Sequence, residues 1–302
     1  MFLGRDVDYT AAKASDSPGE RRWVDMDELG NDAQAASRLV AFYEGRLSER
    51  ERLSRREGRL ELARTRELLD RFLPPPPARV IDVGGGTGIH ASWLAERGYS
   101  VHLVDIVPAH VEEASRSAAF SAAVGDARDL PHPDNDYDVA LLLGPLYHLQ
   151  AAEARAAVLR EARRVVREGG MVVAAFISRG GVALDGHVKG WIDTPGAADS
   201  LKEQMREGFA RADAGFGGIS YFHLPSEARV ELLATGLEVV AILGVEGPGW
   251  VAADFESRWA DAAGREAILE SARSCEAHPD LQALSPHLLA FCTVPIHESA
   301  SR

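Results

Sequence analysis

The sequence predicts an α/β protein in which a largely parallel sheet is covered by helices on both faces. From residue 78 onward, short apolar runs alternate with segments of helical periodicity, which is the pattern of βαβ units. The chain has 302 residues, of which 46% are apolar and 26% are charged. This ordinary globular composition and length suit one large α/β domain with additions.

The first 77 residues are predicted to form a polar arm and a helical cap, ahead of a core that spans residues 78–302. Between residues 33 and 73, apolar side chains recur at helical spacing, so two amphipathic helices are expected, with a break near Gly58. Four consecutive prolines at positions 74–77 then end the helical region, because proline lacks the amide donor.

Seven apolar runs in the core are predicted strands, near residues 79–83, 100–104, 122–124, 138–143, 171–177, 237–244 and 287–294. Helices are expected between them. The clearest helix covers residues 151–167, with Gly169 as its C-terminal stop. Residues 178–223 interrupt the alternation and are rich in glycine and scattered aromatic residues. They are predicted to form an insertion over the carboxyl edge of the sheet.

Charge and cysteine content exclude several classes of protein. Lys and Arg total 33 against 46 Asp and Glu, so the attraction that holds nucleic-acid phosphates or an anionic membrane is absent on average. Two cysteines cannot build a disulfide framework or a four-thiolate metal site. The sequence shows neither a signal-peptide pattern nor an apolar run long enough to span a membrane. A cytoplasmic protein with a small-molecule partner, and with no nucleic acid, membrane or metal, is expected; a homodimer is left open.

The strongest functional signal is the run VIDVGGGTG at residues 80–88. A buried-strand pattern leads directly into a glycine-rich turn and then into a helical stretch. A ligand can approach the backbone of such a turn where any Cβ would collide, close to the amides at the start of the helix. Gly86, Gly88 and Ala91 also satisfy the G-x-G-x-x-A form of the dinucleotide fingerprint, so the turn by itself fits two kinds of cofactor.

Three acidic residues stand at the ends of the first three predicted strands. Asp105 ends the second strand, 17 residues beyond Gly88, where a carboxylate can accept hydrogen bonds from both ribose hydroxyls. Asp126 follows the third strand, where it can accept from the exocyclic amine of adenine. Asp82 lies at the end of the first strand, where it would repel a pyrophosphate and attract a cationic amino-acid cofactor.

With these residues, the segment from 80 to 177 resembles the class I S-adenosylmethionine-dependent methyltransferases. The resemblance implies a seven-stranded Rossmann-like sheet with an antiparallel last strand. The N-terminal helical cap and the lid insertion after strand five are departures from the family pattern, in regions that usually differ with the acceptor. The resemblance also implies S-adenosylmethionine as cofactor and S-adenosylhomocysteine as product. The family's cofactor-binding roles fall on Asp82, Gly84 and Gly86 for the methionine part, Asp105 for the ribose, and Asp126, Ile106, Ala127 and Leu143 around the adenosine and methyl group.

In that family the loop after the fourth strand faces the methyl group. Methyl transfer from a sulfonium is an in-line displacement that depends mainly on positioning, but an oxygen or nitrogen acceptor also has to lose a proton. His148 in this loop is the candidate base, and a structural histidine is the alternative. The insertion and the cap helices are expected to close over the acceptor. The residues predicted to bind the acceptor are Tyr147, Trp191, Tyr221 and His223.

The predicted function is methyl transfer from S-adenosylmethionine to oxygen or nitrogen of a small, partly apolar metabolite. Two alternatives stay open. A nicotinamide-dependent oxidoreductase would use the same glycine turn but would have no use for Asp82 or Asp126. A non-catalytic partner subunit would bind the cofactor without transferring a methyl group.

Overall fold

One twisted sheet organises the part of the chain that the structure, a computed structural model, describes, which is residues 52–209 and 220–296. The strands are β1 (Arg79–Val83), β2 (Ser100–Asp105), β3 (Ser121–Val124), β4 (Tyr137–Leu142), β5 (Val166–Ser178), β6 (Phe222–His223), β7 (Glu238–Gly244) and β8 (His287–Thr293).

Helices cover both faces of this sheet. They are α1 (Arg56–Phe72), α2 (Ile89–Glu96), α3 (Pro108–Ala114), α4 (Ala152–Val165), α5 (Arg179–Val188), α6 (Ala197–Glu207), α7 (Pro225–Ala234), α8 (Phe255–Ala260) and α9 (Ala262–Cys275). No helix in the described ranges is both long enough and apolar enough to cross a membrane.

The strand order is β3-β2-β1-β4-β5-β8-β7. Strands β1 to β5 pair in parallel, whereas β8 lies antiparallel between β5 and β7. The α/β class and the antiparallel last strand are therefore confirmed.

The described residues form eight strands where the sequence predicted seven. The additional strand β6 pairs in parallel with the end of β5, through Ile177 and Ser178. Strand β4 pairs with β5 only as far as Ala174, so the last residues of β5 have an edge that β6 can cover.

The helix break predicted near Gly58 lies a few residues earlier, at Ser54 and Arg55. Arg52 and Leu53 are helical, the chain turns at Ser54 and Arg55, and Gly58 lies inside the first turns of α1. A Cβ at Gly58 would collide with the carbonyl oxygen of Arg52. The glycine therefore permits the close approach of the preceding turn and does not end a helix.

The prediction that Gly169 stops the helix over residues 151–167 is wrong. Helix α4 ends at Val165, and the chain continues at once as β5. Gly169 lies within β5 at φ +69°, where its N–H donates to the carbonyl oxygen of Val294 at 2.9 Å. The left-handed backbone of Gly169 allows an irregularity in strand β5, because glycine adopts this conformation without steric cost.

Two apolar cores lie on opposite faces of the sheet. Ile81 belongs to the core beneath α4 and α7, whereas its neighbour Val80 belongs to the core beneath α1 and α2. Leu69 of α1 is fully buried there, and Phe72 at the end of α1 stacks on Phe291 of β8 with ring centroids 4.1 Å apart. Helix α1 is thus packed on the sheet beside the last strand.

Parts of the predicted cap and insertion lie outside the described residues. For the cap these are residues 33–51, and for the insertion residues 210–219, which include the predicted aromatic Phe216. The described part of the insertion consists of α5, α6 and β6.

Candidate active site

A cavity opens where the carboxyl ends of β1, β2, β3 and β4 meet the loops that follow them. In an open α/β sheet this edge is where ligands bind. Ten of the residues predicted from sequence line this one cavity: Asp82, Gly84, Gly86, Asp105, Ile106, Asp126, Ala127, Leu143, Tyr147 and His148.

Asp82 is a buried carboxylate without a hydrogen-bond partner among the described residues. It is 1% exposed, and neither of its side-chain oxygens accepts a hydrogen bond. Burial, together with the nearby charge of Asp105, raises the pKa of Asp82 to about 7. Leaving such a group unsatisfied is costly, so the site fits a ligand that brings a positive charge and N–H donors. The ammonium group of S-adenosylmethionine has this chemistry.

The glycine turn gives a ligand access to the backbone beside Asp82. Gly84 and Gly86 both have left-handed backbones, with φ +71° and +56°. A Cβ at Gly84 would lie 2.8 Å from the Cδ of Pro145, whereas a Cβ at Gly86 would project into open space. The turn therefore needs glycine at position 84 because a side chain there would collide with Pro145. At Gly86 the backbone faces open space that a ligand can occupy.

Asp105 is fixed by the backbone of two loops. Its Oδ2 accepts from the N–H of Gly86 at 2.8 Å, and its Oδ1 accepts from the N–H of Val107, also at 2.8 Å. His110 lies 3.4 Å from the same Oδ1. Each carboxylate oxygen offers about two acceptor positions, so Asp105 can still accept from ribose hydroxyls in this orientation.

Asp126 differs from a simple adenine acceptor because Arg128 contacts its carboxylate. The guanidinium Nη2 of Arg128 lies 2.6 Å from Oδ2, and the N–H of Arg128 donates to Oδ1 at 2.9 Å. Burial alone would raise the pKa of Asp126, but the hydrogen bonds and charge of Arg128 lower it overall. An adenine amine would have to share this carboxylate with Arg128.

His148 and Tyr147 lie in a short 3-10 turn, Leu146–His148, that follows β4. Burial lowers the pKa of His148 to about 4, against the opposing effect of the charge of Asp105. The imidazole is therefore neutral at neutral pH, which is the state that accepts a proton. The hydroxyl of Tyr147 donates to the carbonyl oxygen of Leu143 at 3.2 Å, and its ring lies 4.7 Å from that of His148.

Three residues predicted to bind the acceptor are absent from the described lining of the cavity: Trp191, Tyr221 and His223. The indole N–H of Trp191 points instead to Asp185, 3.3 Å away. His223 is fully buried, with its Nε2 3.2 Å from Glu231. These polar partners hold Trp191 against α5 and His223 against α7.

Tyr221 is likewise turned away from the cavity, but its backbone touches the loop that lines it. The guanidinium carbon of Arg155 lies 3.8 Å from the centre of the Tyr221 ring, in a cation–π contact. The N–H of Tyr221 donates to the carbonyl oxygen of Tyr147 at 2.8 Å. Tyr221 therefore supports the 3-10 turn from behind.

Sequence reasoning missed residues on the far wall of the cavity. Glu61 and Thr65 of α1 line it one helical turn apart, together with Val245, His287 and Leu289 from the end of the chain. The one sequence-based indication of these residues was the expectation that the cap helices close over the acceptor, because that expectation places one face of α1 beside the cavity. Nothing local in the sequence marks His287, since it opens an apolar strand.

Sheet and site together are those of a Rossmann-like methyltransferase. Comparison with known proteins agrees, since residues 80–170 match a family model described as a methyltransferase domain. A demethylmenaquinone methyltransferase of Beutenbergia cavernae is 31% identical over 180 residues, which are 53% of this chain and 74% of that protein. The chain belongs to the class I S-adenosylmethionine-dependent methyltransferases.

Other relatives share a shorter segment. An uncharacterized methyltransferase of Mycobacterium tuberculosis is 33% identical over 105 residues, 34% of this chain and 42% of that protein. The matched segment is thus less than half the length of that relative. An S-adenosylmethionine-dependent methyltransferase of Mesorhizobium loti has a similar solved structure, with a TM-score of 0.54 and 16% identity, covering 78% of this chain and 99% of the other. At this identity the similarity shows the fold alone.

Proposed function

We propose that this protein binds S-adenosylmethionine at the carboxyl ends of β1 to β4 and transfers its methyl group to oxygen or nitrogen of a small, partly apolar acceptor. The observation that carries the proposal is Asp82, a buried carboxylate without a hydrogen-bond partner in the described structure, beside a glycine turn with open space at Gly86. A nicotinamide cofactor would bring a negatively charged pyrophosphate to this position, which Asp82 would repel.

In this proposal the cavity residues divide the work of holding the cofactor. Asp82 accepts hydrogen bonds from the ammonium group, Asp105 accepts from the ribose hydroxyls, and Ile106, Ala127 and Leu143 give apolar contacts around the adenosine. When bound, S-adenosylmethionine supplies a methyl group on a positively charged sulfur.

The remaining residues of the cavity act on the acceptor. His148 is neutral and takes the acceptor's proton at an imidazole nitrogen, and Tyr147 helps to exclude water. Leu53, Val245 and Leu289 line the side of the cavity formed by the two ends of the described chain, and they supply apolar walls. The relative named for demethylmenaquinone supports a small-molecule acceptor.

Calorimetric titration with S-adenosylhomocysteine and with NADH tests the proposal. The wild-type protein is expected to bind S-adenosylhomocysteine and not NADH. Asp82→Asn removes the charge but keeps a similar shape, so it should weaken S-adenosylhomocysteine binding about 10- to 100-fold. Asp199→Asn, which changes an exposed residue of α6, is the matched control and should bind as the wild type does.

Binding of NADH in place of S-adenosylhomocysteine would establish the oxidoreductase alternative. Unchanged affinity in Asp82→Asn would show that the carboxylate does not hold the cofactor. Cofactor binding without methyl transfer to any of a panel of small acceptors would favour a non-catalytic subunit.

A further inference from the structure

A charged cluster lies at the side of the cavity formed by α1 and β8. His287, the first residue of β8, lies with its Nδ1 2.5 Å from Oε1 of Glu246, and its backbone N–H donates to Oε2 of the same residue at 3.1 Å. Oε2 of Glu61, on α1, lies 3.8 Å from the same Nδ1. Glu246 is 1% exposed, so this two-point contact fixes the imidazole against a buried carboxylate.

The contacts of His287 leave its second ring nitrogen available. Both carboxylates approach Nδ1, and Nε2 makes no hydrogen bond with the described residues. His287 and Glu61 both line the cavity that holds Asp82 and His148. A carboxylate behind one ring nitrogen orients the imidazole and determines which groups the other nitrogen can bind.

The pKa of His287 is shifted in the opposite direction from the pKa of His148. Burial alone would lower the pKa of His287, but the charges of Glu61 and Glu246, together with the hydrogen bond that His287 donates to Glu246, raise it to about 9. His287 is therefore an imidazolium at neutral pH, and its Nε2 is a donor. Two titratable groups of one cavity whose pKa values are driven apart suit different roles in one reaction.

The cluster is better satisfied as an ion-pair network than as a metal site. Glu61, Glu246 and His287 bring ligand atoms within 4.8 Å of one another, which is close enough for a metal ion. Arg52, however, already holds Glu61 through two contacts of 2.6 and 2.8 Å. Burial would raise the pKa of Glu61, but Arg52 and His287 lower it to about 2. A metal would have to displace both a guanidinium and a proton.

We propose that His287, held by Glu246 and Glu61, donates a hydrogen bond from Nε2 to an acidic oxygen of the acceptor, so that the substrates are small apolar phenols, enols or carboxylic acids. This inference rests on the proposed function and narrows it from oxygen or nitrogen to oxygen. A protonated amine would meet the imidazolium and be repelled, whereas an oxygen that gains negative charge is stabilised by it.

The reaction then balances with the groups present in the cavity. The acceptor oxygen loses its proton to His148 and forms a bond to the methyl carbon. The bond between that carbon and sulfur breaks, and its electron pair passes to sulfur, which becomes a neutral thioether. His287 remains protonated throughout and stabilises the negative charge that develops on the oxygen before the new bond is complete.

Binding of 4-nitrophenol to the protein saturated with S-adenosylhomocysteine tests the inference, because the phenolate can be followed by its visible absorbance. The wild-type protein is expected to bind the phenolate form, and His287→Gln should bind it at least tenfold more weakly. His187→Gln, an exposed histidine of α5, is the matched control and should bind as the wild type does.

A pH series on the wild-type protein gives a second readout that needs no variant. Phenolate binding should weaken as the pH rises through about 9, where His287 loses its proton. In Glu246→Gln this loss should move to lower pH, because one of the charges that hold the proton is gone; Glu61 and Arg52 are the other charged groups facing the ring. A cluster with only a structural role would leave both profiles unchanged.

The outcomes separate this inference from the proposed function, because calorimetry with S-adenosylhomocysteine is recorded on the same samples. Failure to bind S-adenosylhomocysteine overturns the proposed function. When S-adenosylhomocysteine binds normally, three results with 4-nitrophenol would overturn the proposed acceptor class alone. These are no binding, equal binding to wild type and His287→Gln, and binding to wild type that does not change with pH from 7 to 10. Stoichiometric binding of Zn²⁺ or Mg²⁺ that His287→Gln abolishes would show a metal site instead.

Discussion

Asp82 carries a cost in the folded protein that a ligand can remove. Its carboxyl group is enclosed beside Asp105 at the end of β1 and has no hydrogen-bond donor among the described residues. Such strain is common at binding sites, where the fold holds a group in the state that suits the ligand. For Asp82 the strain is electrostatic, so it should depend on pH.

We expect the free energy of unfolding of the ligand-free protein to fall between about pH 4 and pH 7. The pKa of Asp82 is raised from its ordinary value of 3.8 to about 7, so the folded state retains a proton that the unfolded state releases. The stability is complete below the lower pKa and is lost as the pH rises through the higher one, by up to about 4 kcal/mol. Urea unfolding across this pH range measures the loss.

Two comparisons isolate the contribution of Asp82. In Asp82→Asn this part of the pH dependence should vanish, and saturating S-adenosylhomocysteine should remove it from the wild type by pairing the carboxylate with an ammonium group. The same slope in Asp82→Asn and wild type would mean that other groups titrate in this range.

His148→Asn should lower turnover by roughly 10²- to 10⁴-fold and leave S-adenosylhomocysteine affinity nearly unchanged. Because burial lowers the pKa of His148 to about 4, its titration should leave the wild-type rate without an inflection between about pH 5 and pH 8. Steady-state kinetics on wild type, His148→Asn and the control His187→Asn provide the measurement. A decrease below threefold would make His148 a structural residue, with catalysis resting on positioning.

At the residue scale, the sequence was enough to predict the residues proposed to bind the cofactor, but not the residues of α1 and β8 on the far wall of the cavity. Asp82 and Asp105 lie at the carboxyl ends of recognisable strands in a fixed order, so the sequence alone is enough to infer their joint position at one sheet edge. His287 and Glu61 are neighbours only because β8 and α1 pack side by side. No local pattern encodes that contact, and the charge of His287 depends on it.

Among the elements, α1 and the insertion differ in their relation to the cavity. Helix α1 contributes Glu61 and Thr65 to the lining, whereas no residue described in α5, α6 or β6 reaches it. The insertion touches the site indirectly, through the hydrogen bond between Tyr221 and the carbonyl oxygen of Tyr147. From the sequence patterns alone, α1 and the insertion are equally good candidates for the part of the cavity that contacts the acceptor.

Hydrogen exchange should therefore slow in α1 when S-adenosylhomocysteine and 4-nitrophenol are added together, while exchange in α6 stays nearly constant. Slower exchange reports that a segment opens less often when ligand contacts restrain it. Mass spectrometry of peptides from residues 56–72 and 197–207 makes the comparison within one sample. Protection confined to α6 would place the acceptor under the insertion.

Strand and helix boundaries show where sequence patterns cease to be informative. The apolar cores of β1, β2 and β4 were located within one or two residues, because a buried parallel strand is apolar along its length. Strand β6 is two residues long and exists only because β5 extends past β4. Its presence depends on a neighbouring edge, which no property of Phe222 and His223 themselves reveals.

For the whole molecule, the fold class and the family could be predicted from one contiguous stretch of the sequence. The family model covers residues 80–170, which contain the glycine turn, the three strand-end acids and His148. The antiparallel pairing of β8 with β7 followed from the family resemblance, whereas the position of β8 beside β5 was not predicted. The packing of α1 beside β8 was not predicted either, because it joins the two ends of the described chain.

This arrangement gives the two halves of the cavity different histories during synthesis. The residues proposed to bind the cofactor have all been synthesised once the turn after β4 has emerged, whereas the wall built from Glu61 and His287 has to wait for the final strand. Under the two proposals, the same separation lets mutations in α1 or β8 alter acceptor choice while the central segment keeps the residues proposed to bind the methyl donor.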